Sequence, residues 1–146
     1  MNKSSDNSDG STPVPFMIAL GIIVLVVGGI GLTQLVGGED VPEVDVVAQA
    51  AIAQNDALQR SDYTDFEAYT CAAEAGEEED VLSRQQDSVN SKGARFIDGV
   101  SGVSVNGDQA TGLVTYHFDK APDDKVDTPM KFVREDGAWK VCSPGP

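Results

Sequence analysis

Residues 16–36, from Phe16 to Val36, carry no ionisable side chain, and this uncharged stretch constrains the chain more than any other feature. As an α-helix rising about 1.5 Å per residue, the stretch would span roughly 30 Å, the hydrocarbon thickness of a bilayer. The sequence therefore predicts a transmembrane helix at residues 16–36. A disordered tail at residues 1–15 is expected before it, and a linker at residues 37–42 after it.

A cleaved signal peptide is the alternative interpretation of this stretch. Signal peptides have a shorter apolar region of about 7 to 15 residues, followed closely by an Ala-x-Ala site. The nearest such triplet, Ala48–Ala50, lies well past the apolar stretch and within a helical pattern, which favours an uncleaved anchor. Because Lys3 precedes the stretch and no Lys or Arg follows until Arg60, the expected topology is single-pass in the cell membrane. The N-terminus would be cytoplasmic, and the domain at residues 43–146 extracytoplasmic.

Charge limits the partners of that domain. The chain has a net charge of −14 with 10 Lys and Arg residues, and these do not form a cluster. A surface of this kind cannot follow a phosphate backbone, so nucleic acid is excluded as a partner. It would also be repelled by anionic lipid headgroups, so contact with the membrane is expected through the N-terminal helix alone.

The chain contains two cysteines, Cys71 and Cys142, both beyond the apolar stretch. An even number of cysteines in an extracytoplasmic domain favours a disulfide bond. The alternative is a reactive thiol, but neither cysteine has a Cys-x-x-Cys partner or a neighbouring histidine. The sequence therefore predicts a structural disulfide between them.

The periodicity of apolar residues changes from helical to extended along the domain. Three helices are predicted, the first from Pro42 with Val44, Val47, Ala48, Ala51 and Ile52 on its apolar face, then Asp62–Cys71 and 77–91. Strands are predicted at 95–106, 110–119, 128–134 and 138–142, with a break at Ala121–Asp124. Helices followed by an antiparallel meander of three or four strands indicate an α+β fold.

Three short motifs carry a family resemblance. They are Ala-Gln-Asn-Asp-Ala ending at Ala57, Asp-Tyr-x-x-Phe ending at Phe66, and the closing Glu-Asp-Gly-Ala-Trp-Lys-Val-Cys ending at Cys142. The chain from Pro42 onward resembles nuclear transport factor 2-like (cystatin-like) domains of actinobacterial membrane-anchored proteins, including the Mce-associated type. The resemblance implies two or three helices packed on a curved sheet around a cone-shaped cavity. Such cavities serve catalysis, ligand binding or protein association, so no reaction is implied.

Candidate site residues are few. Phe96, Tyr116, Phe118, Phe132 and Trp139 are expected to form the core, or to line the cavity if one exists. His117 is the single histidine. It is either a general base oriented by Asp119 or, as we favour, a solvated strand residue.

Neither a metal site nor a cofactor is predicted. The consecutive carboxylates of 77–80 point in different directions on a helix, and Asp123, Asp124 and Asp127 lack the spacing of a calcium loop.

These observations predict a membrane-anchored, non-catalytic binding or scaffolding domain of the cell envelope. The alternative is a lipid-binding or small-molecule-binding cavity domain that is accessory to an envelope transport system. A small hydrolase or isomerase using His117 and Asp119 is a third and weaker interpretation. The expected partner is another envelope protein or a lipid, and a homodimer formed through the sheet is compatible with the resemblance.

Overall fold

The computed structural model describes residues 41–144, which belong to one unit, Val41–Pro146. The predicted tail, the predicted transmembrane helix and residues 37–40 of the predicted linker lie outside the described residues. Within residues 41–144, no helix is both long enough and apolar enough to cross a membrane.

Three helices come first in the described chain: α1 is Glu43–Gln59, α2 is Tyr63–Ala68 and α3 is Glu78–Lys92. Asp62 caps α2, because its carboxylate accepts a hydrogen bond from the backbone N–H of Asp65 at 3.0 Å. Gly93 ends α3 with a φ of 86°. A Cβ atom there would lie 2.9 Å from the Cβ of Asp119, so both backbone conformation and space require glycine.

Four antiparallel strands follow in the order β1-β2-β3-β4: β1 is Arg95–Asn106, β2 is Gln109–Phe118, β3 is Ala121–Glu135 and β4 is Ala138–Val141. The predicted α+β class is therefore confirmed, with three helices and four strands. Between β1 and β2 the register shifts twice, after Ile97 and after Ser101. Shifts of this kind bend a strand and increase its twist.

The break predicted at Ala121–Asp124 is wrong, because these residues begin β3. β4 pairs only with Phe132–Glu135, so the first two thirds of β3 form an edge of the sheet. At an edge, a proline such as Pro122 removes no ladder hydrogen bond that the sheet needs.

The main core forms where the first half of α1 packs on one face of the sheet. Val47, Ala50 and Ala51 of α1 meet buried residues of β2, β3 and β4: Ala110, Val114, Met130, Phe132, Trp139 and Val141. The predicted apolar face of α1 is wrong in part, since Val44 and Ile52 are 39% and 48% exposed. The buried stripe instead continues into the amide side chains of Gln54 and Asn55.

A second, smaller core joins the three helices to one another. Ala57 of α1, Phe66 of α2 and Val81 of α3 form this cluster, with Leu58 and Tyr63 packed against it. The helices are therefore held together by their own apolar contacts, at a distance along α1 from the main core.

The predicted disulfide between Cys71 and Cys142 is confirmed, with an S–S distance of 2.03 Å. It lies beside a short backbone pairing. The N–H of Cys71 donates to the carbonyl of Val141 at 2.9 Å, and the N–H of Val141 donates to the carbonyl of Tyr69 at 2.8 Å. The disulfide thus ties the segment after α2 to β4, the last strand.

We expect the double variant Cys71→Ser/Cys142→Ser to lose on the order of 4 kcal/mol of unfolding free energy, because the bond closes a loop with a sequence separation of 71. Urea denaturation followed by circular dichroism measures this loss. A reductant should lower the midpoint of the wild-type chain and leave that of the double variant unchanged. Equal midpoints for the oxidised wild type and the variant would contradict a stabilising role.

Candidate functional site

A cavity of about 360 Å³ lies among the three helices and the start of the sheet. This volume is within the range of small-molecule pockets, about 300 to 1,000 Å³. All three helices contribute to its wall, together with the segment between α2 and α3, the start of β1 and the segment after β4. The lining residues are Gln54, Leu58, Gln59, Phe66, Thr70, Ala73, Glu74, Gly76, Val81, Arg84, Gln85, Ser88, Gly93, Arg95, Ser143 and Pro144.

Part of the wall is a chain of buried polar groups. The side-chain amide of Gln54 donates to the hydroxyl of Thr70 at 2.8 Å, and that hydroxyl donates to the carbonyl of Phe66 at 2.7 Å. Gln54 and Thr70 are 6% and 2% exposed. Because buried polar groups are stable only when they are hydrogen-bonded, this chain holds α1 and the end of α2 in a fixed relation.

Arg95, the first residue of β1, is the buried cation of the cavity, with 8% of its surface exposed. Its Nε donates to Asn55 Oδ1 at 2.7 Å, while Asn55 Nδ2 donates to the Arg95 carbonyl at 3.2 Å. Its guanidinium carbon lies 5.6 Å from the ring centroid of Tyr116. Burial lowers the pKa of Arg95, but an arginine remains charged at neutral pH. Asn55 therefore fixes both the backbone and the side chain of a buried positive charge.

Gln54, Asn55 and Arg95 separate the cavity from the main core. On their core side is a second void of about 10 Å³, which they line together with Tyr116 and Met130 among others. This void has room for about one water molecule at most. The core is therefore filled, and the space available to a ligand is on the helical side of this polar layer.

Apolar and charged side chains both line the cavity. Leu58, Phe66 and Val81, which belong to the smaller core or pack against it, form the apolar part. The charged residues of the wall are Glu74, Arg84 and Arg95. A wall of this composition suits a small molecule with an apolar portion and a polar or charged group.

The five aromatic residues predicted as cavity candidates do not line this cavity. Phe132 and Trp139 are in the main core, and Tyr116 borders only the small void. Phe118 lies under the ammonium group of Lys92, 5.0 Å from its ring centroid, and Phe96 is 49% exposed. Phe132 and Trp139 thus belong to the core, as the first of the two interpretations expects, and a role of the five residues in lining a ligand cavity stays a prediction.

His117 lies on the opposite face of the sheet from α1, and the carboxylate that contacts it is Asp98 rather than the predicted Asp119. The distance from His117 Nδ1 to Asp98 Oδ2 is 2.8 Å, and Lys125 Nζ donates to Asp98 Oδ1 at 3.1 Å. The ring of Phe96 stacks on the imidazole at 5.4 Å. Asp119 is two residues on in the β2–β3 turn, where its N–H donates to the carbonyl of Ala94 at 2.8 Å. His117 is therefore remote from the cavity lining.

Among residues 41–144, no three His, Cys, Asp or Glu side chains are grouped so that they could hold a metal ion. The candidate site is the cavity, whose wall offers hydrogen-bonding groups and charged side chains.

Sequence reasoning missed the residues that shape the cavity: Gln54, Asn55 and Arg95. One signal was present, because Gln54 is seven residues after Val47 and so falls on the same face of a helix. A polar residue on an apolar face indicates a buried hydrogen-bond partner or a site. For Arg95, at the start of a strand, no comparable signal exists.

The sequence matches no protein-family model and no curated protein at a significant level. Among solved structures, the described fold is similar to a nuclear transport factor 2-like (NTF2-like) protein from Campylobacter jejuni, with 17% identity, a TM-score of 0.47 and coverage of 70% of this chain and 99% of the other. It is also similar to a SEC-C motif-containing protein from Rhodopseudomonas palustris, with 11% identity, a TM-score of 0.49 and coverage of 67% and 77%. A third structure is an NTF2-like family protein from Streptomyces avermitilis, with 20% identity, a TM-score of 0.45 and coverage of 69% and 93%.

All three TM-scores are below 0.5, so these similarities support no inference about activity, ligand or partner. Two of the three proteins are NTF2-like. The membrane-anchored, Mce-associated context of that resemblance stays a prediction.

The contact between His117 and Asp98 has a measurable electrostatic consequence. The hydrogen bond with His117, and a second one with Lys125, lower the pKa of the Asp98 carboxyl. We expect His117→Ala to raise the pKa of Asp98 toward its ordinary value, because the larger cause is removed, and Lys125→Ala to raise it less. The stabilisation is present above the pKa of Asp98 in the unfolded chain, and is lost as pH falls through the lowered folded value. An NMR titration of the Asp98 carboxyl tests this, and an unchanged pKa in His117→Ala would contradict it.

Proposed function

We propose that the domain binds a small molecule in the cavity among its three helices. The observation that carries this proposal is the cavity of about 360 Å³, whose wall combines apolar side chains with hydrogen-bonded polar groups. Protein interiors are close-packed, with few voids larger than a water molecule. The cavity is partly open to solvent, and beside a filled core it offers a concave space large enough for a small molecule.

The geometry supports binding better than chemistry at the predicted histidine. His117 and Asp98 lie on the outer face of the sheet, where Phe96 stacks on the imidazole. The cavity is on the helical side, and its wall contains neither His117 nor Asp119. A ligand in the cavity would therefore not meet the histidine.

Scaffolding, which the sequence predicts, is the second candidate function. It is favoured by the large apolar side chains on the outer face of the sheet, where Phe96 is 49% exposed and Leu113 36% exposed. Exposed apolar residues are common singly on protein surfaces, so this observation carries less weight than the cavity.

We place the binding domain on the extracytoplasmic side of a membrane, anchored by the helix predicted at residues 16–36. The disulfide between Cys71 and Cys142 supports this location, because structural disulfides persist in oxidising compartments. A ligand-binding domain held at the membrane would suit an accessory role in envelope transport.

Filling the cavity provides a direct test. Ser88 lines the cavity from α3, whereas Ser91, three residues on, is exposed and outside the lining. We expect benzyl alcohol and benzoate, used as small probes, to shift the side-chain amide NMR signals of Gln54 and Gln85 in the wild-type chain and in Ser91→Trp. Ser88→Trp should abolish these shifts, because the indole occupies the space of the probe.

Two results would contradict small-molecule binding in the cavity. One is the absence of any probe-dependent shift at Gln54 and Gln85 in the wild type. The other is an equal shift in Ser88→Trp, since the probes would then bind elsewhere.

Location can be tested through the thiols. In intact cells, a membrane-impermeant maleimide should label the chain only after reduction, because Cys71 and Cys142 are bonded to each other. A Cys71→Ser/Cys142→Ser variant is the control and should take no label. Labelling that requires cell lysis would contradict an extracytoplasmic domain.

A further inference from the structure

Arg95 is a buried cation without a counter-charge in the described chain. It is 8% exposed, yet within residues 41–144 no carboxylate oxygen lies within 4.0 Å of its guanidinium. Two of the other three arginines in residues 41–144 are paired: Arg60 contacts three aspartates, and Arg134 contacts Glu43 and Asp108. The third, Arg84, is exposed to solvent. Buried charges in proteins are normally paired, because the cost of removing them from water is otherwise uncompensated.

The guanidinium is fixed at one end and free at the other. Nε donates to Asn55 Oδ1 at 2.7 Å, and the guanidinium carbon lies 5.6 Å from the ring centroid of Tyr116. The two terminal nitrogens make no hydrogen bond to any residue in 41–144. Every fully buried side-chain nitrogen among the described residues has a hydrogen-bond partner. Since these two nitrogens have none, neither of them is fully buried. Arg95 borders both the cavity and the small void beside Tyr116, and of these two spaces the cavity is the one with room for a ligand.

The remaining charged residues of the wall add to this positive charge. Arg84 on α3 is exposed, and its Nε donates to the carbonyl of Asp80 at 3.2 Å. Glu74 is the one acidic residue of the wall, and among the described contacts neither arginine lies within 4.0 Å of it. A chain with a net charge of −14 therefore has two cations and one anion around its cavity.

We propose that the cavity recognises a small organic oxyanion, a carboxylate or a phosphate, through the terminal nitrogens of Arg95. This inference rests on the proposed function and specifies the class of ligand. The planar fork of a guanidinium matches two oxygens of such a group in a bidentate pair. Arg84 meets the same ligand nearer to solvent. The apolar portion of the ligand packs against Leu58, Phe66 and Val81.

The acidic surface makes this recognition selective. An overall negative field disfavours anions everywhere else on the domain, so an oxyanion gains affinity only where the local charge is reversed. Asn55 and Tyr116 hold the guanidinium in place before the ligand arrives, which reduces the ordering cost of binding.

The experiment uses the full chain in a neutral detergent and four matched probes. Benzoate and phenyl phosphate carry the oxyanion on an aromatic ring, benzyl alcohol is the uncharged control, and glycerol 3-phosphate represents a lipid headgroup. We expect at least one oxyanion to bind about 10- to 100-fold more tightly than benzyl alcohol, the factor of a charge-assisted hydrogen-bonded pair. A preference for glycerol 3-phosphate indicates a lipid headgroup as the source, and a preference for the aromatic anions indicates a free small molecule.

Three substitutions remove one positive charge each. Arg95→Gln should lower the affinity for the preferred oxyanion to that for benzyl alcohol. Arg84→Gln should lower this affinity less. Arg60→Gln is the matched control, since Arg60 contacts surface aspartates and does not line the cavity. Arg95→Lys keeps the charge without the fork and should give an intermediate affinity. Circular dichroism confirms that each variant is folded, and Arg84→Gln on an exposed helix face tests the charge even if Arg95→Gln does not fold.

The outcomes separate this inference from the proposed function. Equal affinity for benzyl alcohol and the oxyanions, or oxyanion binding that Arg95→Gln and Arg84→Gln both leave unchanged, would overturn oxyanion recognition while cavity binding stands. If no probe perturbs the cavity signals, and Ser88→Trp behaves like the wild type, the proposed function and this inference both fail.

Discussion

The buried side of α1 changes from apolar to polar side chains along the helix, and the arrangement of the two cores and the cavity depends on this change. Its first half presents Val47, Ala50 and Ala51, whose small side chains let the helix approach the sheet and close the main core. Its second half presents Gln54 and Asn55, which are also buried but require hydrogen-bond partners. Along α1, the apolar contact with the sheet therefore gives way to a polar layer. Beyond that layer the three helices pack on one another, and the cavity remains between them.

The polar layer also connects distant parts of the chain. Gln54 reaches Thr70 at the end of the helix α2 segment, and Asn55 reaches Arg95 at the start of β1, 40 residues away. These contacts replace the apolar packing that would otherwise fix the helices against the sheet. Because each hydrogen bond is directional, the layer sets the position of the cavity wall more narrowly than apolar packing would. The segment after α2 is fixed a second time by the disulfide of Cys71, next to Thr70.

The sequence predicted the order of elements well, and the side-chain environment less well. The bounds predicted for β1 agree with the structure, and α3 ends at Gly93 as its glycine indicates. The buried residues of α1 were harder to predict. Val44 and Ile52 fit a helical period yet face solvent, while the amides Gln54 and Asn55 are buried. Periodicity identifies a face only when its residues are apolar, and tertiary contacts such as Asn55 with Arg95 have no local signal. An aromatic residue in the sequence is ambiguous in the same way, since a large apolar side chain fills space as readily as it lines it.

The chain contains a single tryptophan, Trp139, in the main core under the guanidinium of Arg134, 4.7 Å from the ring centroid. It lies in β4 and does not border the cavity. Its emission therefore reports one environment, a buried indole beside a cation, without interference from any other indole. Loss of the main core would shift that emission to longer wavelengths, whereas occupation of the space among the helices would leave it nearly unchanged. Trp139 is thus an intrinsic optical reporter of the main core, and a dye attached to α3 would let the melting of the smaller core be followed separately.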